Sequence, residues 1–454
     1  LEKAQLDDLD SVRNLNSLLR LKHIEDFYWD GAIYVKSAIL EKRCYVIRDS
    51  GAVKGAMIIE NRKPCSDYPA DSLAIGTIAV HPGARKKGFG IKLVEFAKDL
   101  AFTLGKRLFV ESFFEYRKLN FYTRLGFAKG LFKKYNGRPY HVFFLDPNTI
   151  PAFPTMKRVS LAHRHEYSSY LAQMPVVPSD VTFENLFLYN SRSRQIHLSL
   201  LNKNVIVLSK NKYGQSLYPV VGNSDLDGTY AKLLDWLPRK TKEDLFRCVP
   251  CSTVNRLTLQ TTAGCKIVKD RNNFDYLHEP AALSAFDDPA LRTQNQNLIR
   301  FMAEKPEFRR MTLQRTRSFE TFQKGWMEDY RIRQEKKNKA LPKRILAEDR
   351  ALRKALAYSL SLGLSITGVF LKDILEGFSI HSIFGKTMYV HFEKATRKKG
   401  AYQSLVQKTA KIALNCKADF INREQDLGIP GLRAGKKRYL PIGFLEKCNI
   451  GKIE

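Results

Sequence analysis

The chain has 454 residues, 44% of them hydrophobic and 11% aromatic, and its 76 lysines and arginines against 46 acids give a formal net charge of +30. That apolar content excludes an intrinsically disordered chain and is enough for about three packed domains of roughly 150 residues each. The longest uncharged stretch, Ala355 to Leu371, holds three serines, two glycines and a threonine, and the first ten residues carry four acids and no apolar run. The first is too short and too polar to span a bilayer and the second is unlike a secretory signal, so a cytoplasmic protein without integral membrane contact is expected.

In chain order, residues 6–22 have helical periodicity. Residues 43–48 and 53–60 are β-rich runs joined by Asp49-Ser50-Gly51-Ala52, the signature of a hairpin. Residues 73–80 are an apolar run that predicts a buried strand, followed by a basic glycine turn and a helix in which Leu93, Val94, Phe96, Ala97, Leu100 and Ala101 share a face. Residues 107–112 and 140–145 are further strands, and Asp146-Pro147-Asn148 with Pro151 and Pro154 mark a boundary. This alternation predicts an α/β layer fold.

The turn is the most informative stretch: Val80-His81-Pro82-Gly83-Ala84-Arg85-Lys86-Lys87-Gly88-Phe89-Gly90-Ile91. Two glycines one residue apart let backbone approach a ligand, and the free N–H groups opening a helix point at an anion. Arg-x-x-Gly-x-Gly after a strand ending Val-His-Pro, with Asn120-Phe121-Tyr122-Thr123-Arg124-Leu125-Gly126-Phe127 downstream, resembles the GNAT N-acyltransferases. The resemblance implies that the N–H groups of Arg85, Lys86, Lys87, Gly88, Phe89, Gly90 and Ile91 hold the pyrophosphate of acetyl-CoA or another acyl-CoA. The side chains of Arg85, Lys86 and Lys87 would add positive charge. Main-chain groups of Ile78, Ala79 and Val80 would pair with the pantetheine arm, and the Tyr122 hydroxyl would protonate the departing thiolate. A phenol and an alkyl thiol differ by about two pKa units, so that proton moves at little cost. A small-molecule or peptide amine acceptor needs a base, for which Glu111 is the first candidate and Glu60 the second. Where the family often keeps an asparagine, Glu115 stands.

The chain also repeats itself. Thr396-Arg397-Lys398-Lys399-Gly400-Ala401-Tyr402 matches Ala84-Arg85-Lys86-Lys87-Gly88-Phe89-Gly90, and Leu405-Val406 matches Leu93-Val94. Residues 366–371 and 374–380 repeat the hairpin, residues 387–392 the strand, and Ile442-Gly443-Phe444 echoes Leu125-Gly126-Phe127. Tyr402 replaces the second glycine, which crowds a phosphate nest. The segment Phe420-Ile421-Asn422-Arg423-Glu424-Gln425-Asp426-Leu427-Gly428-Ile429-Pro430-Gly431-Leu432-Arg433, together with His391-Phe392-Glu393, Phe183-Glu184-Asn185-Leu186-Phe187 and Asp275-Tyr276, resembles the C-terminal soluble domain of phosphatidylglycerol lysyltransferase over residues 151–454. That family is a pair of GNAT-like units. The expected architecture is therefore α/β with the GNAT fold repeated, mixed central sheets flanked by helices, and three units at 1–150, 151–300 and 301–454. Asn422, Arg423, Glu424, Asp426 and Arg433 are either a second site or an interlocked set of buried ion pairs.

Seven cysteines, sparse and odd in number, predict reduced thiols. Cys248-Val249-Pro250-Cys251 with Cys265 and His278 lacks the second close pair of a structural zinc site, so no metal is expected. Residues 301–360 hold 16 basic residues against 8 acids in a stretch that reads as helical from 308 to 358, either a solvated face or a surface for nucleic acid or anionic lipid. The function expected is acyl-CoA-dependent N-acyl transfer by residues 1–150. One alternative is aminoacyl transfer from an aminoacyl-tRNA by residues 151–454, as the resemblance implies; another is a non-catalytic binding module.

Overall fold

The computed structural model describes the chain apart from residues 22–27, 63–67, 69–71, 117–118, 136, 147–148, 213, 237–244, 312–315, 336–341 and 453–454. Cys65, Pro147, Asn148 and the basic residues 336–339 lie outside the described residues. The fold divides into two compact units, Leu1–Ile150 with Ser160–Tyr167, and Pro151–Val159 with Ser168–Glu454.

The first unit contains β1 (Glu2–Lys3), α1 (Leu9–Ser17), α2 (Ala32–Leu40), β2 (Cys44–Asp49), β3 (Ala52–Arg62), β4 (Ser72–Val80), α3 (Phe89–Thr103), β5 (Leu108–Phe113), α4 (Leu119–Arg124), β6 (Ala128–Tyr135) and β7 (Arg138–Leu145). Its sheet runs β1-β2-β3-β4-β5-β7-β6. Side chains alternate across it. Leu73, Ile75, Leu108 and Val110 pack on Leu93, Val94, Ala97 and Ala101 of α3. Ala56, Ile58 and Ala79 face α1 and α2, and Ala74 and Phe109 share that opposite face with Tyr68. The helix expected over 6–22 starts as a 3-10 turn and ends at Ser17. β6 escaped the sequence reading because it is an edge strand exposed along nearly its whole length, so its pattern does not alternate.

Two irregularities shape this sheet. The parallel β4–β5 ladder pairs Leu73 with Leu108, Ala74 with Phe109 and Ile75 with Val110, and continues no further. β4 meanwhile stays paired with β3 as far as Val80, so the edge of residues 76–80 that faces β5 is open. On the β3 side, Ile58 pairs with Thr77 and Ile59 with Ile75, which leaves Gly76 as the extra residue of a bulge.

The second unit holds β8 (Lys157–Arg158), β9 (Arg194–Leu201), β10 (Asn204–Asn211), β11 (Gly214–Leu217), β12 (Phe246–Pro250), β13 (Cys265–Lys269), β14 (Asp275–His278), β15 (Glu307–Arg310), β16 (Ser365–Leu371), β17 (Ile374–Phe384), β18 (Thr387–Ala395), β19 (Phe420–Asn422), β20 (Gly443–Leu445) and β21 (Lys447–Lys452). They form two more seven-stranded sheets, ordered β13-β21-β12-β11-β10-β9-β8 and β15-β16-β17-β18-β19-β14-β20. Both follow the pattern of the first sheet, with one exchange. The place that β7 holds there is taken by β21 in the middle sheet and by β14 in the third. A division at residue 300 is therefore crossed in both directions, because each half lends the other an interior strand. The stretch expected to be helical from 308 to 358 begins as β15 and continues as two helices, Thr316–Glu335 and Lys343–Tyr358.

The expectation of reduced thiols is corrected at one pair: Cys251 and Cys448 form a disulfide, with Cα atoms 5.4 Å apart and a sequence separation of 197. Val249 pairs with Cys448 in the β12–β21 ladder, and Cys251 follows at the strand end, so the strand exchange itself brings the sulfurs together. Cys44 and Cys248 are buried thiols and Cys416 an exposed one. Among the described residues, no helix is long and apolar enough to cross a membrane.

Ending the chain at Glu446 removes β21 from the interior of the middle sheet. We expect that truncation to abolish the cooperative unfolding transition of the second unit, as read by scanning calorimetry.

Candidate active sites

In the first unit the glycine turn begins as a 3-10 turn, Pro82–Ala84, capped by the His81 ring, whose Nδ1 accepts from the Gly83 N–H at 3.2 Å. Lys86 (φ 66°) and Gly88 (φ 85°) are both left-handed, and Gly88 caps α3. This winds the backbone so that the N–H groups of Lys86, Lys87, Gly88, Phe89, Gly90 and Ile91 have no backbone hydrogen-bond partner among the described residues. The Arg85 N–H is the exception, donating to Pro82 O at 3.1 Å, which removes it from the expected set. A Cβ on Gly90 would meet only Phe121 and Val80 at ordinary contact distance, so packing does not require glycine there. Phe89 and Ile91 turn their side chains to the core. Of the three cations, Lys87 pairs with Asp49 at 2.8 Å and Arg85 Nε reaches Val80 O at 3.5 Å, while Lys86 has no ion pair among the described residues. The open edge of Ile78, Ala79 and Val80 runs straight into this turn.

Across the sheet from α3, the two candidate bases stand on one face, each held by a tyrosine. The Tyr34 hydroxyl donates to Glu60 Oε1 at 2.7 Å, and the Tyr68 hydroxyl donates to Glu111. Burial and the neighbouring Glu60 carboxylate push the Tyr34 phenol well above its ordinary range. Glu60 is half-buried and Glu111 exposed. Gly76 lies between their strands, and a Cβ on it would stand 2.5 Å from Glu60 Oε1 and 2.8 Å from the Tyr34 hydroxyl. Tyr122 is on the other side of the sheet, 5% exposed, its ring against Phe121, Phe127 and Phe143. Burial raises its pKa, so the phenol is a protonated donor at neutral pH. Glu115 accepts from Arg138 Nη1 at 2.9 Å. Tyr34, Tyr68 and Gly76 were missed by sequence reading; a glycine inside a strand was the one available signal.

In the second unit the turn at 396–402 is filled from within. A Cβ on Gly400 would overlap the Asn297 carbonyl oxygen and the Phe301 side chain. The Tyr402 hydroxyl donates to Glu393 Oε2 at 2.7 Å and accepts from Arg423 Nη2 at 2.6 Å. The five polar residues expected to act together divide between networks. Arg423 pairs with Glu393 at 2.5 Å and leaves its buried Nη1 without a partner. Asp426, fully buried, accepts both arms of Arg433 at 2.9 and 3.0 Å and the Tyr276 hydroxyl at 2.6 Å. Burial alone would raise its pKa, yet these bonds and the Gly428 N–H hold it at about 2. Asn422 donates to Asp275 at 3.0 Å, and Glu424 accepts from His391 at 2.9 Å and from Asn185 at 2.8 Å.

Asp275 also receives Lys447 Nζ at 2.6 Å, and the same ammonium donates to Asp180 at 2.5 Å. Burial opposes the Lys447 charge, but the two carboxylates outweigh it and hold the amine above the ordinary lysine range. The C-x-x-C pair is split. Cys251 is in the disulfide, while Cys248 is a buried thiol beside Asp180 whose pKa burial pushes up. Asp180, Ser382 and Lys447 carried no local sequence signal.

Two substitutions test these environments. Gly76→Val forces a side chain onto Glu60 and Tyr34 and should cost about 1–3 kcal/mol in urea unfolding. Burial, then His391 and Arg310, push the His381 imidazole down to about 4, so the folded protein holds it neutral while the unfolded chain protonates near 6.5. Its contribution is present above pH 6.5 and falls away as pH drops toward 4. Between pH 7 and 5 the wild type should lose about 2 kcal/mol more than His381→Leu.

The sequence matches the family described as "Acetyltransferase (GNAT) domain" over residues 41–129 and "Phosphatidylglycerol lysyltransferase, C-terminal" over residues 178–447. Among solved structures, a conserved protein of unknown function from Bacteroides thetaiotaomicron is 23% identical, covers 67% of this chain and 100% of its own, and superposes with a TM-score of 0.59, which shows a shared fold. L-PGS from Bacillus licheniformis is 11% identical over 68% of this chain and 95% of its own (TM-score 0.45), and a GNAT-family acetyltransferase from Bacillus cereus is 19% identical over 32% and 94% (TM-score 0.25). No curated protein matches. The chain thus carries a GNAT acetyltransferase domain at residues 41–129 and belongs, through residues 178–447, to the phosphatidylglycerol lysyltransferase C-terminal family.

Proposed function

We propose that the first unit transfers an acyl group, acetyl in the simplest case, from an acyl-CoA to an amine of a small molecule or peptide. The observation that carries this reading is the run of six N–H groups, Lys86 to Ile91, without a backbone partner among the described residues, at the end of the open β4 edge. A diphosphate fits such a nest, and Lys86 supplies charge. The exposed main chain of Ile78, Ala79 and Val80 suits an amide-bearing arm laid along it as an added strand. Beyond that edge Tyr122 and Glu60 stand on opposite faces of the sheet. Glu60, fixed by Tyr34, takes the proton that an amine of pKa about 10 must lose before it attacks. Tyr122 returns a proton to the leaving thiolate, and Glu111 with Tyr68 borders the acceptor.

Isothermal titration of acetyl-CoA into the full chain should give saturable binding that Gly88→Glu abolishes; no binding to the wild type overturns the reading. In an amine-acetylation assay Glu60→Gln and Tyr122→Phe should each lower kcat by about 100-fold. Glu111→Gln should cost less than about 10-fold.

The family match over residues 178–447 supports a second reading for the second unit, aminoacyl transfer from an aminoacyl-tRNA, to which the net charge of +30 is suited. Binding of aminoacylated but not uncharged tRNA in a filter assay tests it.

A further inference from the structure

The two ends of the chain repeat more than a fold. In the first unit Gly76 is the extra residue of the β3–β4 bulge, since Ile58 pairs with Thr77 and Ile59 with Ile75. In the third sheet Ile380 pairs with Phe392 and His381 with Val390, so His391 is the extra residue of the β17–β18 bulge. The parallel ladders correspond as well. β4–β5 ends at Ile75 and Val110, and β18–β19 ends at Tyr389 and Asn422, one residue pair earlier in register. Stepping outward from these matched pairs, Glu60 falls on Ser382, Gly76 on His391 and Glu111 on Glu424. The three positions that hold two carboxylates and a glycine beside the parted strands of the first unit hold a serine, a glutamate and a histidine in the second.

These three side chains form a connected line. Ser382 Oγ is 2.8 Å from His391 Nε2, and His391 Nδ1 is 2.9 Å from Glu424 Oε1. A carboxylate accepts only, so Nδ1 carries the hydrogen; in the neutral imidazole Nε2 is then the acceptor, and the Ser382 hydroxyl donates to it. Glu424 is fixed from both sides: Asn185 Nδ2 donates to it at 2.8 Å, and its own N–H donates to Asn422 Oδ1 at 2.8 Å. It does so in a left-handed conformation, φ 55°, which a non-glycine residue keeps only when its surroundings impose it. The Asn185 Oδ1 beside this line is buried without a partner. Ser382 is 5% and His391 7% exposed, a dry setting that strengthens the hydrogen bonds.

We propose that Ser382, His391 and Glu424 form a second acyl-transfer site in which Ser382 is the nucleophile, His391 the acid and base, and Glu424 the residue that orients the imidazole. Its donor is a carboxylic oxygen ester. The neighbouring turn at 396–402, closed by Asn297, Phe301 and Tyr402, offers no cradle for a nucleotide diphosphate. Ser382 Oγ bonds to the ester carbon as its proton passes to His391 Nε2. The carbon–oxygen bond to the alcohol then breaks, and His391 returns the proton to the leaving oxygen. An amine next attacks the seryl ester, its proton crossing by way of His391 to Ser382 Oγ, so that ester and amine become alcohol and amide with a free serine. The assignment does not depend on what the first unit does.

The test treats intact, full-length protein with a fluorophosphonate and maps the adduct by peptide mass spectrometry, and separately follows p-nitrophenyl acetate for a presteady-state burst. We expect one adduct per chain, on Ser382, and a stoichiometric burst. Both should vanish in Ser382→Ala, and Glu424→Gln should slow labelling about 100-fold and shift its pH profile. Absence of an adduct at Ser382 in wild type with a native melting transition overturns the proposal, a readout that needs no variant to fold. A burst that persists unchanged in Ser382→Ala overturns it equally.

Discussion

The Lys447 ammonium, enclosed by the carboxylates of Asp180 and Asp275, is the contact on which the second unit depends. All three side chains are largely shielded from water, and each alone would carry a heavy desolvation cost; together they offset it. They come from distant parts of the chain. Asp180 precedes the helix Phe183–Tyr189, Asp275 opens β14 and Lys447 opens β21. Because β14 and β21 are the strands the two sheets exchange, the charges meet only when both exchanges are complete. Replacing such a cluster by apolar groups need not destabilise a protein, but breaking it does, so its effect is to select one strand arrangement over the alternatives. The Cys251–Cys448 disulfide closes the same junction covalently.

From Asp275 the order continues into the candidate site. Asn422 donates to Asp275 and accepts from the Glu424 N–H, Glu424 accepts from His391, and Ser382 donates to His391. A buried polar chain of this kind is stable only when its members are satisfied, and its near-complete pairing explains the left-handed Glu424 at its centre. Asp426, Tyr276, Arg271 and Arg433 form a separate knot that shapes the turn after β19. Within this polar segment, ion pairs and hydrogen bonds at the turn join Asp426 and Arg433, whereas Glu424 is bonded to His391 and Asn185.

The repeated backbone is used in opposite senses at its glycine turn. At Gly88 the turn leaves its N–H groups without a backbone partner among the described residues; at Gly400 the helix Arg292–Ala303 covers the same feature, and Tyr402 occupies the second glycine position with a hydroxyl bonded on both sides. One copy keeps the turn open and the other has taken that space into its own core. The change of residue type at the bulge, glycine in one copy and histidine in the other, follows from what each must fit: Gly76 leaves room for Glu60 and Tyr34, while His391 reaches Ser382 and Glu424.

By itself the sequence determined whatever depends on a few neighbouring residues. β-rich and apolar runs marked β2 to β5, and the second glycine-containing turn revealed the repeat. Glycines after a strand marked the turn that opens α3, because only glycine adopts a left-handed φ cheaply, as Gly88 does at φ 85°. Tertiary structure alone decided the rest. Which strand fills the interior place that β7 holds in the first sheet, which cysteines meet, and which of several carboxylates faces a tyrosine, a lysine or a histidine depend on strands far apart in sequence. Strand pairing and register are set by packing against cross-strand neighbours, which no local pattern records. Ser382 is ordinary as a sequence residue and becomes distinctive only when a bulge nine residues later in the chain turns His391 toward it.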